Sequence, residues 1–447
     1  MEQWIKKLSD CLPALKETCP HEFLLRFTLE DFNCLRFANS RGTQNTSVQS
    51  IFLNLVVVKK EDDGGRMVSC SSNSFEPEVL MKQALALIPE TPVNKEFKGF
   101  CPPGLQYPVV QTYYASTANL TAPEKARRLE NLRKKNKDLW LGGIWENSTT
   151  LSALAGSNGL FLQETATKYI FEAKALLDDR AASVYRIGRN VDDLDECTEV
   201  QRAIAPLRKK PPHRQLPDGN YRCLFGPEAV SEMCFFISLH GFGGRGFKQG
   251  QNFTCKHIGK KLFENERIVL KDRGTNEHTL TKAYDSWGFP RQELTLINGG
   301  KICQMAHDQF TAEHIEGNTG HGDGSPAAML MELAPGNKPL TELLESNDEL
   351  LQISRFHYPT VADPSKPLLK GSTKDGTYLI DGEDIYEVGG LEFYFNPIEL
   401  LGDAVELSCE RFVIPQGSLA MSRPGANIVP WILVADVEVR QGTLHKE

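Results

Sequence analysis

The chain is poor in the features that would send it out of a cell, into a membrane or onto nucleic acid. Its start, MEQWIKKLSDC, has no apolar stretch followed by a small-residue cleavage site, so no secretory leader is read there. No apolar run approaches the ~18 residues that a bilayer requires, which excludes a helical membrane protein. The 11 cysteines are odd in number, scattered from Cys11 to Cys409 and free of any Cys-x-x-Cys pair. That pattern excludes a disulfide framework and a zinc ribbon, and leaves buried free thiols. Positive charge is also short: 50 Lys and Arg stand against 58 Asp and Glu, for a net charge of -8. A general nucleic-acid binder needs the opposite balance to displace counterions. Several catalytic signatures are missing too. There is no Gly-x-Ser-x-Gly elbow and no phosphate-binding Gly-x-x-x-x-Gly-Lys-Ser/Thr loop, and His21-Glu22 is followed by Leu25 where a zincin carries its second histidine.

What is present is ordinary globular material. Hydrophobic residues make up 40% and charged residues 24%, which excludes disorder, and a soluble protein of the cytoplasm is expected. At 447 residues the chain exceeds what one core serves, so two or three domains are expected. Trp4, Ile5, Leu8, Leu12 and Leu15 recur at helical spacing, with Pro13 as a break. Glu22 to Phe37, Gln49 to Lys60 and Gly65 to Cys70 read as strands, with polar turns at Ala38 to Gln44 and Glu61 to Gly65. Glu76 to Ile88 reads as a covering helix that Pro89 ends. Thr121 with Glu124 three positions on is a capping-box start. The helix it opens is strongly basic from Lys125 to Lys137, either a patch for an acidic partner or, as preferred, a solvated face. Asn158-Gly159 marks a hairpin, and Ser183 to Val200 reads as a polar, turn-rich tract.

The clearest boundary is APLRKKPPHRQLPDG, Ala205 to Gly219, where Pro211, Pro212 and Pro217 with basic neighbours and no periodicity read as an extended linker. An α+β domain of mixed sheet and helix over 1–204 precedes it. A β-rich, antiparallel domain over 220–447, a barrel or sandwich, is expected to follow. Its strand candidates are Arg267 to Lys271, Gln292 to Ile297, Ala328 to Leu333, Leu350 to Phe356, Gly376 to Ile380, Asp384 to Val388 and Ile428 to Val439. Gly241, Gly243 and Gly246 satisfy Gly-x-Gly-x-x-Gly, but no helix is read after them, so a flexible glycine loop is preferred to a nucleotide site. His307, His314 and His321 are spaced by seven. On a helix they would share a face, yet lie about 10 Å apart along the axis. Gly317, Gly320, Gly322 and Gly324 also forbid that helix, so hydrogen-bonded or exposed histidines are expected rather than a metal site.

Several segments in order resemble the TldD/PmbA family of metallopeptidase-related proteins. They are Leu35-Arg36-Phe37-Ala38-Asn39-Ser40 with Gln44, Ser157-Asn158-Gly159-Leu160 with Ser and Asn exchanged, and Gly188-Arg189 with Asp192, Asp193 and Leu194. Asp285-Ser286-Trp287-Gly288-Phe289-Pro290 follows, with Trp287 in place of the usual acid, and then Thr311-Ala312 and Gly317-Asn318-Thr319-Gly320. In the TldD branch a His-Glu-x-x-x-His helix after a Pro-x-x-Val turn holds zinc. Here Met233, Cys234, Phe235, Phe236, Ile237 and Ser238 correspond, so the chain resembles the PmbA, or TldE, branch that lacks the site.

The resemblance implies a dimer, with itself or with a TldD-type metallopeptidase subunit, sharing a cavity for unfolded peptides. It implies zinc in the partner subunit and no cofactor or catalytic residue in this chain. His240, two residues beyond Ser238, is the histidine nearest the second metal position, and Cys409 lies in the region of a distal cysteine ligand. Without the first histidine and the glutamate these two supply no base, so no ligand is carried over. The candidate binding segment is the loop with His314, Gly317, Asn318, Thr319, Gly320 and His321. A self-sufficient homodimeric hydrolase using Cys409 or the histidine cluster, and a pure modulator, are the competing readings. The family's older description as a DNA gyrase modulator suggests the last, but this acidic chain argues against contact with DNA itself.

Overall fold

A computed structural model describes residues 1–178, 180–274, 276–323, 328, 330–363, 366–416 and 425–442. The opening apolar stripe folds as one helix, α1 (Glu2–Thr18), with Pro13 inside it. The expected break does not occur, because Leu8 and Leu15 on either side of Pro13 are both buried in one cluster with strand residues such as Phe27 and Leu55. The next strands, β1 (Glu22–Ala38), β2 (Arg41–Glu61) and β3 (Gly64–Ser72), run longer than the sequence suggests. In place of a polar turn over Ala38 to Gln44, Asn39 and Ser40 alone reverse the chain. Both have positive φ, 48° and 56°, as a two-residue hairpin turn requires.

Then come α2 (Pro77–Leu87), β4 (Val93–Asn94), α3 (Ala115–Ala118), α4 (Ala122–Lys135), β5 (Trp140–Gly156), β6 (Phe161–Leu177), β7 (Arg180–Gly188) and α5 (Glu196–Arg208). Thr121 and Glu124 form the capping box at the start of α4. Lys125 is not part of a solvated face. It is fully buried, its Nζ donating to Asn147 Oδ1 at 2.8 Å and Asn33 O at 3.2 Å. The tract from Ser183, read as turns, is strand through Gly188, and Ala205 to Arg208 close α5, so the extended connection starts only at Lys209.

These strands form one antiparallel sheet in the order β4-β3-β2-β1-β5-β6-β7. Register fixes its two faces. Phe27, Leu53 and Ala153 lie side by side on one, under α1 and α2, and Leu35, Trp145 and Phe171 continue it under α4 and α5. Arg26, Thr28, Glu30, Ser148, Thr150, Ser152, Glu164 and Lys168 fall on the other.

The C-terminal part contains β8 (His213–Arg214), β9 (Gly219–Phe225), α6 (Pro227–Gly241), α7 (Gly244–Lys248), β10 (Val269–Asp272), β11 (Leu294–Asn298), β12 (Lys301–Ile302), β13 (Met331–Leu333) and α8 (Leu340–Glu345). After these come β14 (Glu349–Asp363), β15 (Leu368–Asp381), β16 (Asp384–Val388), β17 (Leu391–Phe395), α9 (Pro397–Gly402), β18 (Ala404–Leu407), β19 (Phe412–Pro415), β20 (Ala426–Val429) and β21 (Ile432–Gln441). One sheet runs β12-β11-β10-β13-β20-β19; in the other, the pairings β14-β9-β21-β17-β15-β14 close into a ring. Pairing is antiparallel except for β14–β9, β16–β8 and β13–β20. Ile428 to Val439, read as one strand, is two, because Pro430 ends β20 and the chain passes to the other sheet as β21. Of the expected strand Ala328 to Leu333, Met331–Leu333 is β13; Met329 lies outside the described residues, as does Gly324. Among the described residues no helix is long and apolar enough to cross a membrane. The whole is an α+β fold rich in strand.

Candidate functional site

The sequence Pro-Glu-Ala-Val starts α6 with proline at its first position, where a missing N–H costs nothing. The helix then runs between the two C-terminal sheets, and Met233, Cys234, Phe235, Phe236 and Ile237 all join the core there. Glu228 ties its first turn to Arg186 of β7 at 3.1 Å, and Ser231 donates to Pro415 O at 2.9 Å. Zinc wants deprotonated sulfur, neutral imidazole or carboxylate. The residues at the resembling positions do not fit it. Burial pushes the Cys234 thiol up to about 12, so it keeps its proton, and Met233 and Phe236 offer no such donor. His240 sits in the last turn of α6, stacked on Phe236 with ring centroids 6.5 Å apart. Cys409 is exposed beside Glu410, its N–H donating to Lys338 O at 2.7 Å. Among the described residues no three His, Cys, Asp or Glu side chains gather as a metal-holding group.

The glycines after α6 form no flexible loop. Gly244 opens the short α7, and a Cβ there would come within 2.6 Å of Ala306 O, so the close approach needs glycine. Downstream, the three spaced histidines part company. His314 is exposed at the N-cap of a 3-10 turn, His307 is half-buried and His321 is fully buried. Gly317 is exposed, whereas Asn318 and Gly320 are buried, with Asn318 Oδ1 accepting the Gly320 N–H at 2.8 Å. Thr319 links His307 to His321: its Oγ1 accepts the His307 N–H at 2.8 Å and lies 2.9 Å from His321 Nδ1. His321 Nε2 stands 3.4 Å from Asp272 Oδ2, and Arg291 approaches that carboxylate at 3.6 Å. Burial and Arg291 hold the His321 ring below its usual pKa. Burial alone would raise Asp272, but Arg291 and His321 keep it below its usual range. The loop proposed for binding is thus a hydrogen-bonded scaffold in which Asn318, Gly320 and His321 are buried while His314 and Gly317 are exposed.

That scaffold supports the joint between the two parts of the chain. Asp285 accepts N–H groups from Trp287, Phe289 and Gly322 at 2.8 to 3.0 Å, which shapes the turn Asp285 to Pro290. The turn presents Trp287 and Phe289 to Leu24, Phe97, Phe100, Leu154 and Leu160, one buried cluster. The Arg26 guanidinium lies over the Trp287 ring at 3.9 Å. A second contact packs Ile170 and Ile187 on Leu280 and Ala426. Arg189 crosses the joint, donating to Thr167 O on one side and Thr281 O on the other.

Between the two apolar contacts lies a cleft of about 320 Å³. Its floor is the helix-free face of the N-terminal sheet, with Ser148, Thr150 and Ser152 of β5 beside Glu164 and Lys168 of β6. Leu280, Lys282, Pro415 and Gly425 wall the other side. Burial raises the Glu164 carboxyl above its usual range, although its Oε1 accepts the Ala283 N–H at 3.3 Å. A larger hollow, about 640 Å³ around Tyr358 and Tyr394, shares no residue with this joint. None of the loop residues 314–321 lines the cleft. Sequence reading missed its walls; the available signal was the alternation of Ser148, Thr150 and Ser152 with Thr149, Leu151 and Ala153.

Residues 218–441 match the family profile described as the PmbA/TldA metallopeptidase C-terminal domain. Among solved structures the chain is similar to a candidate modulator of a DNA gyrase from Thermotoga maritima, at 20% identity and a TM-score of 0.84, covering 97% of this chain and 99% of that one. It is similar to TldE from Thermococcus kodakarensis at 17% identity and a TM-score of 0.82, covering 97% and 99%. A candidate modulator of DNA gyrase from Bacteroides thetaiotaomicron follows at 15% identity and 0.79, covering 98% and 99%. At such identities the likeness establishes a shared fold. No curated protein sequence matches. The family signature segments Ser157 to Leu160, Gly188-Arg189, Asp285 to Pro290 and Gly317 to Gly320 all build or support this one joint. With the family's C-terminal domain matched across half its length, the chain belongs to the PmbA/TldD family of metallopeptidase-related proteins.

Proposed function

We propose that this chain is a non-catalytic subunit of a TldD/TldE-type peptide-processing complex, acting in the cytosol and helping to enclose the channel that holds an unfolded peptide. The observation that carries the reading is α6. In the place where the resemblance expects zinc ligands, its side chains are core packing. The interdomain cleft supports a peptide-holding role, since it offers a row of hydroxyls on a sheet face. Zinc and the general base belong, on this reading, to a partner subunit bearing His-Glu-x-x-x-His.

The test is an affinity pull-down of the tagged full chain from its native cells, followed by identification of whatever remains in stoichiometric amount. A chain carrying the His-Glu-x-x-x-His helix is expected. Recovery of the chain only with itself, active on peptides, would contradict the reading and favour a homodimeric hydrolase.

A further inference from the structure

The charges around the interdomain cleft lie beyond ion-pair distance of one another. Glu30, Glu164, Lys168, Arg189 and Lys282 all line it, and among the described residues none of the five forms an ion pair with an opposite charge. Elsewhere at the joint, by contrast, Arg186 is paired twice, with Glu199 and Glu228. Arg189 spends two of its nitrogens on Thr167 O and Thr281 O, and its buried Nε is left without a partner. Glu164 spends one oxygen on the Ala283 N–H, and its buried Oε2 is also unpartnered. The hydroxyls of Ser148, Thr150 and Ser152 have no protein partner among the described residues either. Buried polar groups left open in this way cost stability unless water or a ligand meets them.

The balance of charge favours an anion. Three cations face two carboxylates. The dimensions favour an extended chain. Ser148 and Ser152 lie four residues apart on one strand, about 13 Å at ~3.3 Å per residue, room for the last few residues of an extended chain. Resting on the peptide-holding reading above, we propose that the cleft captures the free carboxylate terminus of an extended peptide. Lys168, Arg189 and Lys282 hold the carboxylate, and the hydroxyls of Ser148, Thr150 and Ser152 meet its backbone.

The test is fluorescence anisotropy on the full chain with an N-terminally labelled, otherwise uncharged, unstructured peptide. It is made as the free acid, as the C-terminal amide and as an amide ending in glutamate. The free acid is expected to bind roughly tenfold tighter than the plain amide, the scale of a hydrogen-bonded charge. The double variant Lys168→Ala/Lys282→Ala, shown to be folded by its melting curve, is expected to lose that difference while holding the amide as before. Equal binding of acid and plain amide overturns carboxylate capture and leaves the peptide-holding reading in place. Equal binding of the free acid and the glutamate amide overturns recognition of the terminus in favour of an acidic side chain. Binding of none of the three overturns both proposals.

Discussion

Asp285 accepts three main-chain N–H groups, and its carboxyl is nonetheless pushed from 3.8 up to about 7, by burial first and by Asp323 second. Between those values the folded protein holds a proton that the unfolded chain has released. The contribution to stability is therefore complete below the unfolded value and is lost as pH rises through the folded one. Asp285→Asn keeps an oxygen for Trp287 and Phe289 but cannot ionise. Melting temperatures measured from pH 5 to pH 8 are expected to fall less in the variant than in the wild type; parallel curves would contradict the assignment. The same turn explains a departure from the family pattern. Trp287, in place of the acid that the resemblance leads one to expect, packs on Phe100 and Phe310 and under the Arg26 guanidinium.

At the scale of an element, α6 decides the reading. Its positions are dictated by core packing, so putting a metal-site residue back should break the fold rather than restore chemistry. Cys234→Glu would bury a carboxylate with no cation designed to meet it, a cost of several kcal/mol. Urea unfolding is expected to show a large loss of midpoint or an insoluble protein, and a variant of wild-type stability would contradict the packing argument. α6 was legible only through the resemblance, which sets a helix after the Pro-x-x-Val turn; the residues themselves were read as part of a β-rich domain. The strands β1 to β3 and the α4 capping box were legible for local reasons, in alternation and in the Thr121 and Glu124 spacing. The joint was not. That Asp285, Arg189 and Trp287 meet one surface depends on contacts far apart in the chain, such as the 92 residues between Arg189 and Thr281, which no local periodicity carries. Lys125 was misread for the same reason: only the tertiary fold sets Asn147 and the Asn33 carbonyl around its ammonium. Pro13 was misread because burial of Leu8 and Leu15 outweighs the single hydrogen bond that proline removes.

At the scale of the molecule, two apolar contacts lock the N-terminal sheet to the C-terminal domain and leave a polar cleft between them. If the Trp287 contact is the principal lock, Trp287→Ala should cost about 3–5 kcal/mol. It should also separate the unfolding of the two parts into resolvable steps by calorimetry; a single unshifted transition would contradict that role. On the proposal that α6 of this metallopeptidase-related family member serves packing and holds no metal, the deciding measurement is elemental analysis of the purified full chain for zinc, alongside hydrolysis of an unstructured peptide. Zinc well below one equivalent is expected, with no turnover until a His-Glu-x-x-x-His subunit is added. One equivalent of zinc together with hydrolysis by this chain alone would contradict that proposal.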